Sequence, residues 1–176
     1  MTASDALRPS SDGDLPAALA KDWQHLNVFD HATGVTGIVN ASLHGQAGDL
    51  RAFAAGAALF HSPELGWVGD ARVTPMEDAV TGVHSIASDW LGFAVSPGTG
   101  AVAASVRLPG AIMLNLEANS VSKPVEVDVQ VPFGSGWISW YIIPRLTVRG
   151  SLRLGSTSGE RNLDTASAYH DHNWGR

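Results

Sequence analysis

The chain has 176 residues with a formal net charge of −6 at pH 7, and it contains no cysteine. This length suits one domain with a hydrophobic core and is short for two. The lack of cysteine excludes disulfides, thiolate zinc sites and cysteine nucleophiles, and an acidic chain without a long basic stretch disfavours a nucleic-acid partner.

The N-terminal segment, residues 1–20, is rich in Ser, Asp, Pro and Ala and has no apolar periodicity. It cannot bury enough apolar surface to offset its ordering entropy, so we expect a disordered arm followed by one domain over residues 21–176. The segment has no basic and apolar regions of a signal peptide, and no later run reaches the ~20 apolar residues of a membrane span. We therefore expect a cytoplasmic location.

The first polar pattern lies in IVNASLHG, where Asn40, Ser42 and His44 alternate with apolar residues. Alternation of this kind places the three polar side chains on one face of a strand. A polar cavity lining and a solvent-exposed face explain the pattern equally well.

The next segment, RAFAAGAALFH, allows two interpretations. Alanine favours a helix, in which Phe53, Ala57 and Phe60 would share one stripe. Gly56 in the middle and the strand-like neighbouring segments favour a strand, which is the prediction adopted.

A period of two dominates the second half of the chain, and glycine-rich turns separate its segments. The apolar positions of these alternating segments are Ile112, Leu114 and Leu116; Val125, Val127, Val129 and Val131; and Leu146, Val148, Leu152 and Leu154. Half-buried antiparallel strands have this pattern. The sequence therefore predicts an all-β antiparallel sandwich or barrel.

Aromatic residues are concentrated in GWISWYIIP. In a strand Trp137, Ser139 and Tyr141 share one face and Trp140 lies on the other. Large aromatics in such a place either fill the core or line a pocket for an extended apolar ligand. Ser139 has no base at a readable spacing, which argues against a nucleophilic serine.

The chain ends on SAYHDHNWGR, which is unusually rich in groups that carry chemistry. If this segment is a strand, one face carries Tyr169, Asp171 and Asn173, and the other carries His170, His172 and Trp174. A Tyr and an Asp on an inward face could share a proton, with the histidines directed outward or into a second contact layer. The alternative is a polar plug at the end of a barrel. The His-x-His pair falls short of the ligands that zinc needs, so we expect no metal.

The segments AYHDHNWGR, GWISWYIIPRLTVRGSL and DWQHLNVFDHATG together resemble the lipocalin-like superfamily of carotenoid 1,2-hydratases (hydroxyneurosporene synthases) and their AttH-like relatives. The resemblance covers nearly all of the chain after the arm. Members of that superfamily contain two consecutive calycin-type β-barrel halves, and the terminal signature falls near the end of the first. The resemblance implies a lipocalin-like half-barrel, inactive by itself, with a second barrel half or a homodimer partner.

The resemblance also implies a function. The hydratases protonate an isolated double bond of a polyene and add water without a cofactor, and relatives act as cyclases. The expected activity is thus that of a cofactor-independent lyase or cyclase on a polyene or terpenoid-like substrate. The alternative is a non-catalytic binder of an apolar small molecule, and an interaction module comes third.

The resemblance also assigns roles to the residues of this chain that match the family signature. Asp171 corresponds to the acid and Tyr169 to its orienting partner, and His172 takes the catalytic role if Asp171 does not. The expected substrate-binding residues are Asn40, His44, Trp137, Trp140, Tyr141 and Trp174. An aspartic acid that protonates an alkene needs a pKa raised by several units above ~3.9. The histidine expected near WISWY is absent from this sequence.

Overall fold

The structure is a computed structural model, and it describes residues 20–45, 49–96, 98–134, 136–156 and 158–175. The expected disordered arm covers residues 1–20. Residues 1–19 lie outside the described residues, and the described part of the arm is Ala20 alone. Thirteen strands occur in the described ranges, with one short 3-10 turn at Met76–Asp78. The strands are β1 (Lys21–Asp30), β2 (Val35–His44), β3 (Phe53–Ser62), β4 (Gly66–Pro75), β5 (Val80–Gly82), β6 (Ser85–Ala87), β7 (Leu91–Val95), β8 (Val102–Leu108), β9 (Ile112–Ser120), β10 (Val125–Phe133), β11 (Gly136–Leu154), β12 (Arg161–Asn162) and β13 (Ser167–Gly175).

All thirteen strands belong to one sheet with the order β4-β3-β2-β1-β13-β11-β9-β8-β7-β6-β5, while β10 and β12 also pair with β11. Every pairing is antiparallel, as the alternating segments predicted. The last strand, β13, is hydrogen-bonded to the first strand on one side and to β11 on the other. The chemically rich terminal segment therefore lies in the middle of the sheet.

The sheet curls around a hydrophobic core, and its concave side is called the inner face here. Leu26, Val39, Phe93, Leu114 and Leu152 are buried on this face. Alternation predicted the inner positions of β9 and of the second half of β11 correctly, because those positions are aliphatic and the intervening ones are polar. The prediction of an all-β half-barrel is thus confirmed.

The longest strand, β11, contains both the aromatic segment GWISWYIIP and the alternating segment from Leu146 to Leu154, which were predicted separately. Pro144 lies inside it, and the pairing of β11 with β13 shifts register between Ile143 and Leu146. Proline has no N–H to donate, so a sheet accommodates it where the ladder of hydrogen bonds between strands is irregular. The strand consequently pairs mainly with β13 and β10 before Pro144 and with β9 after it.

One predicted strand, β10, is less buried than expected. The valines of β10 alternate as predicted, but Val125 and Val129 are 50% and 63% exposed instead of half-buried. Among the described strands β10 pairs only with β11, and Val125 shares a face with Ile142, on the side away from the core. A period of two identifies a strand and its two faces, but it does not say which face is covered.

The ambiguous alanine-rich segment is a strand, as predicted. Gly56 lies on the inner face of β3, where an added Cβ would come within 2.9 Å of the Trp90 ring. Trp90 is buried, and the guanidinium of Arg72 lies 5.4 Å from its ring centre. The glycine therefore permits the close approach of a large side chain across the curled sheet.

Candidate functional site on the outer face

The two faces of β13 differ in burial. His170 and His172 are fully buried and Trp174 is nearly so, whereas Tyr169 and Asp171 are half-buried on the opposite, outer face. The expectation that the histidines point outward and the Tyr–Asp pair inward is therefore wrong. Both faces of the segment carry polar groups, so hydrophobicity alone could not tell which side packs on the core.

A hydrogen-bonded network occupies the outer face of β13. The Tyr169 hydroxyl donates to Asp171 Oδ2 at 3.0 Å, and the Asn173 amide donates to Asp171 Oδ1 at 2.6 Å. Burial and the neighbouring carboxylate raise the pKa of Tyr169 to about 12, so its phenol keeps its proton at neutral pH. Side chains rather than backbone amides thus hold both oxygens of the carboxyl group.

Flanking strands supply apolar walls beside this network. On β11 Ile142 lies opposite Asp171 and Trp140 opposite Asn173. On β1 Trp23 lies opposite Asn173. Opposite residues of an antiparallel pair lie on the same face, so two tryptophans and an isoleucine border the polar network.

A histidine completes the row on the other side of Asp171. His25 of β1 lies opposite Asp171 on one side and opposite Asn40 of β2 on the other. Asn40 Nδ2 lies 3.2 Å from His25 Nδ1 and donates to the Gln24 carbonyl oxygen at 3.2 Å. The pKa of His25 is lowered, because burial outweighs the opposing effect of Asp171.

A second polar pair lies farther along the same face. Ser42 Oγ is 2.9 Å from His44 Nε2, and the His44 ring stacks on Phe53 with centres 4.6 Å apart. Burial, together with the positive charge of Lys21, lowers the pKa of His44. The Lys21 ammonium lies 4.5 Å from the centre of the Trp23 ring. The outer face therefore continues as a mixed aromatic and polar surface beyond Asn40.

The inner face behind the network contains a different acid–base pair. His172 Nε2 donates to Asp22 Oδ1 at 3.0 Å, and both side chains are buried. His170 Nδ1 donates to the His25 carbonyl oxygen at 2.9 Å. The two histidines thus tie β13 to β1 from within the core.

The structure divides the residues singled out from the sequence between the two faces. On the outer face are Asn40, His44, Trp140, Tyr169 and Asp171. Toward the core are Trp137, Tyr141, His172 and Trp174. The sheet itself lies between the two sets. Ser139 is also buried there, and its hydroxyl donates to the Val129 carbonyl oxygen at 3.0 Å.

Sequence reasoning missed His25 as a member of this site. Its only local signal is the alternation of Trp23, His25 and Asn27 in KDWQHLN, which is common to many strands. The decisive information is the register of β1 on β13, which joins residues far apart in the chain.

Open space adjoins the network at Tyr169. A pocket of about 420 Å³ is lined by Tyr169 together with Phe29, His31, Pro144, Arg145, Thr165, Ser167 and Ala168. A small ligand there would contact Tyr169, whose hydroxyl is bonded to Asp171. Among the residues that the structure describes, no three His, Asp or Glu side chains converge as a metal site would require.

The fold defined by these strands is an all-β, antiparallel, lipocalin-like half-barrel. No protein-family profile and no curated protein matches the sequence. Several solved structures do match it in fold. One is a protein described as AttH from Nitrosomonas europaea, with a TM-score of 0.69 and 12% identity over 96% of this chain and 57% of that one.

Two further structures share the fold. Kievitone hydratase from Nectria haematococca has a TM-score of 0.64 and 11% identity over 92% of this chain and 49% of its own. CghA, solved with Sch210972, has a TM-score of 0.56 and 12% identity over 99% of this chain and 53% of its own. The chain thus spans about half the length of these proteins. In the described part of the chain, no helix is long and apolar enough to cross a membrane.

Proposed function

We propose that the protein acts as a cofactor-independent, hydratase-like lyase or cyclase on an apolar, polyene or terpenoid-like substrate. The observation that carries this proposal is the Tyr169–Asp171–Asn173 network between Trp23 and Trp140. Such a network can hold a proton beside surfaces that bind hydrocarbon and stabilise a cation through their π faces.

The proposed chemistry assigns each member of the network one role. In this reaction Asp171 gives a proton to the double bond, and the resulting carbocation takes up water. The water then returns a proton to the carboxylate, so the acid is regenerated and no cofactor is consumed. Tyr169 orients the carboxyl through Oδ2, and Asn173 holds Oδ1. In a cyclase a second double bond would capture the cation, and the cyclised cation would then lose a proton to the Asp171 carboxylate, so the acid is again regenerated.

The name of one of two structures that are similar in fold supports this choice of chemistry. One is named as a hydratase of kievitone, and another was solved with the compound Sch210972. At sequence identities of 11% and 12%, these proteins can suggest a class of reaction for this chain but not its substrate. The carotenoid hydratases named above act on hydrocarbons, so a useful panel contains both acyclic carotenoids and kievitone.

The experiment measures turnover and binding separately. Incorporation of oxygen from isotopically labelled water reports hydration, and quenching of tryptophan fluorescence reports binding. In the full-length protein, Asp171→Asn keeps the shape of the side chain but removes its acid. We expect turnover to fall by about 10²- to 10⁴-fold, while the binding affinity stays within a few-fold of the original.

His172→Phe serves as a second variant, because that residue was the other catalytic candidate. His172 lies on the inner face, so its replacement should reduce the amount of folded protein more than the turnover of each folded molecule. Retained turnover in Asp171→Asn would refute the proposed acid. A larger loss per folded molecule in His172→Phe, with ligand affinity unchanged, would assign the catalytic role to His172.

A non-catalytic binder remains the second candidate, and one observation favours it. Both oxygens of Asp171 already accept hydrogen bonds from the chain itself, as in many structural carboxylates. A binder would quench tryptophan fluorescence with the same ligands and convert none of them. The Asp171→Asn variant would then change neither measurement.

We also propose that a second barrel half covers the outer face. Trp67 and Val73 of β4 are 69% and 65% exposed on this face, and Leu59 of β3 lies beside them. The chain spans about half the length of its relatives in fold, which leaves room for such a partner in a longer protein. Exposed apolar patches of this kind mark interaction surfaces.

The test uses the chain of residues 1–176 without further sequence. We expect it to bind a hydrophobic dye and to self-associate in sedimentation, and Trp67→Lys should weaken both effects. Val80→Lys, at an exposed position of the far edge strand β5, is the matched control. A clean monomer without dye binding would contradict the proposal, and a defined dimer sensitive to Trp67→Lys would favour a second copy of the chain.

A further inference from the structure

A groove of about 770 Å³ lies on the outer face of the sheet, far from the Tyr169–Asp171–Asn173 network. Strands β8, β9 and the second half of β11 form its floor, and the connection between β6 and β7 forms one wall. Arg153 in the groove follows Ile142, the neighbour of Asp171, by eleven positions on β11. At ~3.3 Å per residue this is roughly 35 Å of strand. The groove is therefore separate from the proposed acid, and it is called the arginine groove here.

Two arginines flank a methionine across three strands of the floor. Met113 of β9 lies opposite Arg107 of β8 and opposite Arg153 of β11, and all three side chains lie on the outer face. Neighbouring strands are about 4.8 Å apart, so the Cα atoms of the two arginines are about 10 Å apart. Both side chains are long enough to reach one group that lies above Met113.

The sheet places no acid opposite these arginines. Arg149, on the same face of β11, lies directly opposite Glu117 of β9, whereas Arg153 lies opposite Met113. In the described part of the chain, neither Arg107 nor Arg153 forms an ion pair. The groove thus concentrates two positive charges whose N–H donors are available to a ligand.

A second row on the floor supplies uncharged polar groups. Asn115 of β9 lies opposite Ser105 of β8 and opposite Ser151 of β11. Within the ranges that the structure describes, none of these three side chains makes a hydrogen bond. Gly92 of β7 continues the row, and a Cβ at this position would lie 2.7 Å from Ser105 Oγ. The glycine therefore keeps the space above Ser105 open.

Two carboxylates on the walls limit what the groove can hold. Asp89 and Glu160 also line it, and among the described contacts neither pairs with an arginine of the groove. They would repel a ligand that carries many negative charges. The thioether of Met113 is half-buried between the arginines and offers an apolar surface. A suitable ligand thus has one anionic group attached to an apolar body.

We propose that the arginine groove binds a small molecule through one carboxylate or phosphate group, held by the guanidinium groups of Arg107 and Arg153. Arginine binds such oxyanions through paired N–H···O bonds, because its planar fork matches their geometry. The polar row of Ser105, Asn115 and Ser151 donates further hydrogen bonds, and the apolar body lies on Met113. The volume of the groove is in the range of small-molecule sites.

Three naphthalene probes of similar size test the proposal. 2-Naphthoate and 2-naphthyl phosphate represent the two sources of the oxyanion, and 2-naphthamide is the neutral analogue. The fluorescence anisotropy of each probe measures its binding to the full-length protein. We expect at least one anion to bind about 10-fold or more tightly than the amide, the value of hydrogen bonds to a charged group. The anion that binds more tightly identifies the source.

Variants show whether the binding occurs in the groove. Arg107→Gln and Arg153→Gln should each weaken binding of the anion about 10-fold, with little effect on the amide. Arg153→Lys keeps the charge but loses the planar fork, so it should recover only part of the affinity. Arg149→Gln is the matched control, because it removes the same charge from the same face of β11 outside the groove. This control should retain the affinity. Circular dichroism verifies that each variant is folded.

Three outcomes would overturn the inference: no binding of either anion, equal binding of the anions and the amide, or an equal loss in Arg149→Gln. The last would show attraction to the general charge of the face instead of a site. None of these measurements uses turnover. Failure of the proposed reaction would appear as unchanged turnover in Asp171→Asn, so the two failures are distinguishable.

Discussion

The buried pair of Asp22 and His172 should be a major source of stability. Both side chains are buried and the His172 Nε2 to Asp22 Oδ1 distance is 3.0 Å. In His172→Phe the carboxylate loses this donor while staying in the core. Removal of one partner from a buried pair costs about 3–5 kcal/mol, against the ~5–15 kcal/mol by which a typical domain is stable. The expected result is a large fall in the urea midpoint with an unchanged slope, measured by circular dichroism.

A matched control is the ion pair between Asp70 and Arg72 on β4, which has a similar separation of 2.8 Å but is largely exposed. Asp70→Asn should lower the urea midpoint far less, because water screens an exposed pair. Adding Asp22→Leu to His172→Phe should restore part of the loss, since it removes the buried carboxyl group that has lost its His172 donor. If His172→Phe cost no more than Asp70→Asn, the reasoning about this pair would be wrong.

Three further predictions concern single positions. Ultraviolet titration of Tyr169 should show a pKa of about 12, and Asp171→Asn should shift it down toward 10. Since the folded-state pKa is the higher one, its contribution to stability is present below pH 10 and is lost as the pH approaches 12. Gly150→Ala should destabilise the fold by about 1–3 kcal/mol, measured by urea unfolding, because φ is +140° and a Cβ would overlap the Asn115 carbonyl oxygen. Gln24→Met should raise the melting temperature, because in the described structure the buried Gln24 Oε1 has no hydrogen-bond partner.

Sequence patterns predicted the strands well where one face is aliphatic and the other polar. Leu146, Val148, Leu152 and Leu154 show this, since all four are buried as expected. The same reasoning placed Val125 and Val129 of β10 incorrectly, because the segment itself does not specify what covers that face. Local periodicity thus predicts strands and faces, whereas burial depends on what the rest of the sheet brings to each face.

The candidate site was predictable only in part, for a related reason. The pairing of Tyr169 with Asp171 follows from their spacing of two residues, and the structure joins them by a hydrogen bond. Burial of His172 depends on Asp22, which is 150 residues away in the chain. His25 likewise joins Asp171 only through the register of β1 on β13. Contacts between residues so far apart in the chain produce no local periodicity from which they could be predicted.

The division of β13 between two faces affects how mutational data on its signature should be interpreted. Replacing Asp171 changes a half-buried network that faces open space, so lost turnover with intact folding would report chemistry. Replacing His172 removes a buried bond to β1, and β1 also carries His25 on the other face of the same sheet. Lost turnover in a His172 variant therefore has two sources, fewer folded molecules and a displaced His25. Only turnover divided by the folded fraction, together with the ligand affinity of the same variant, separates catalysis from structural support.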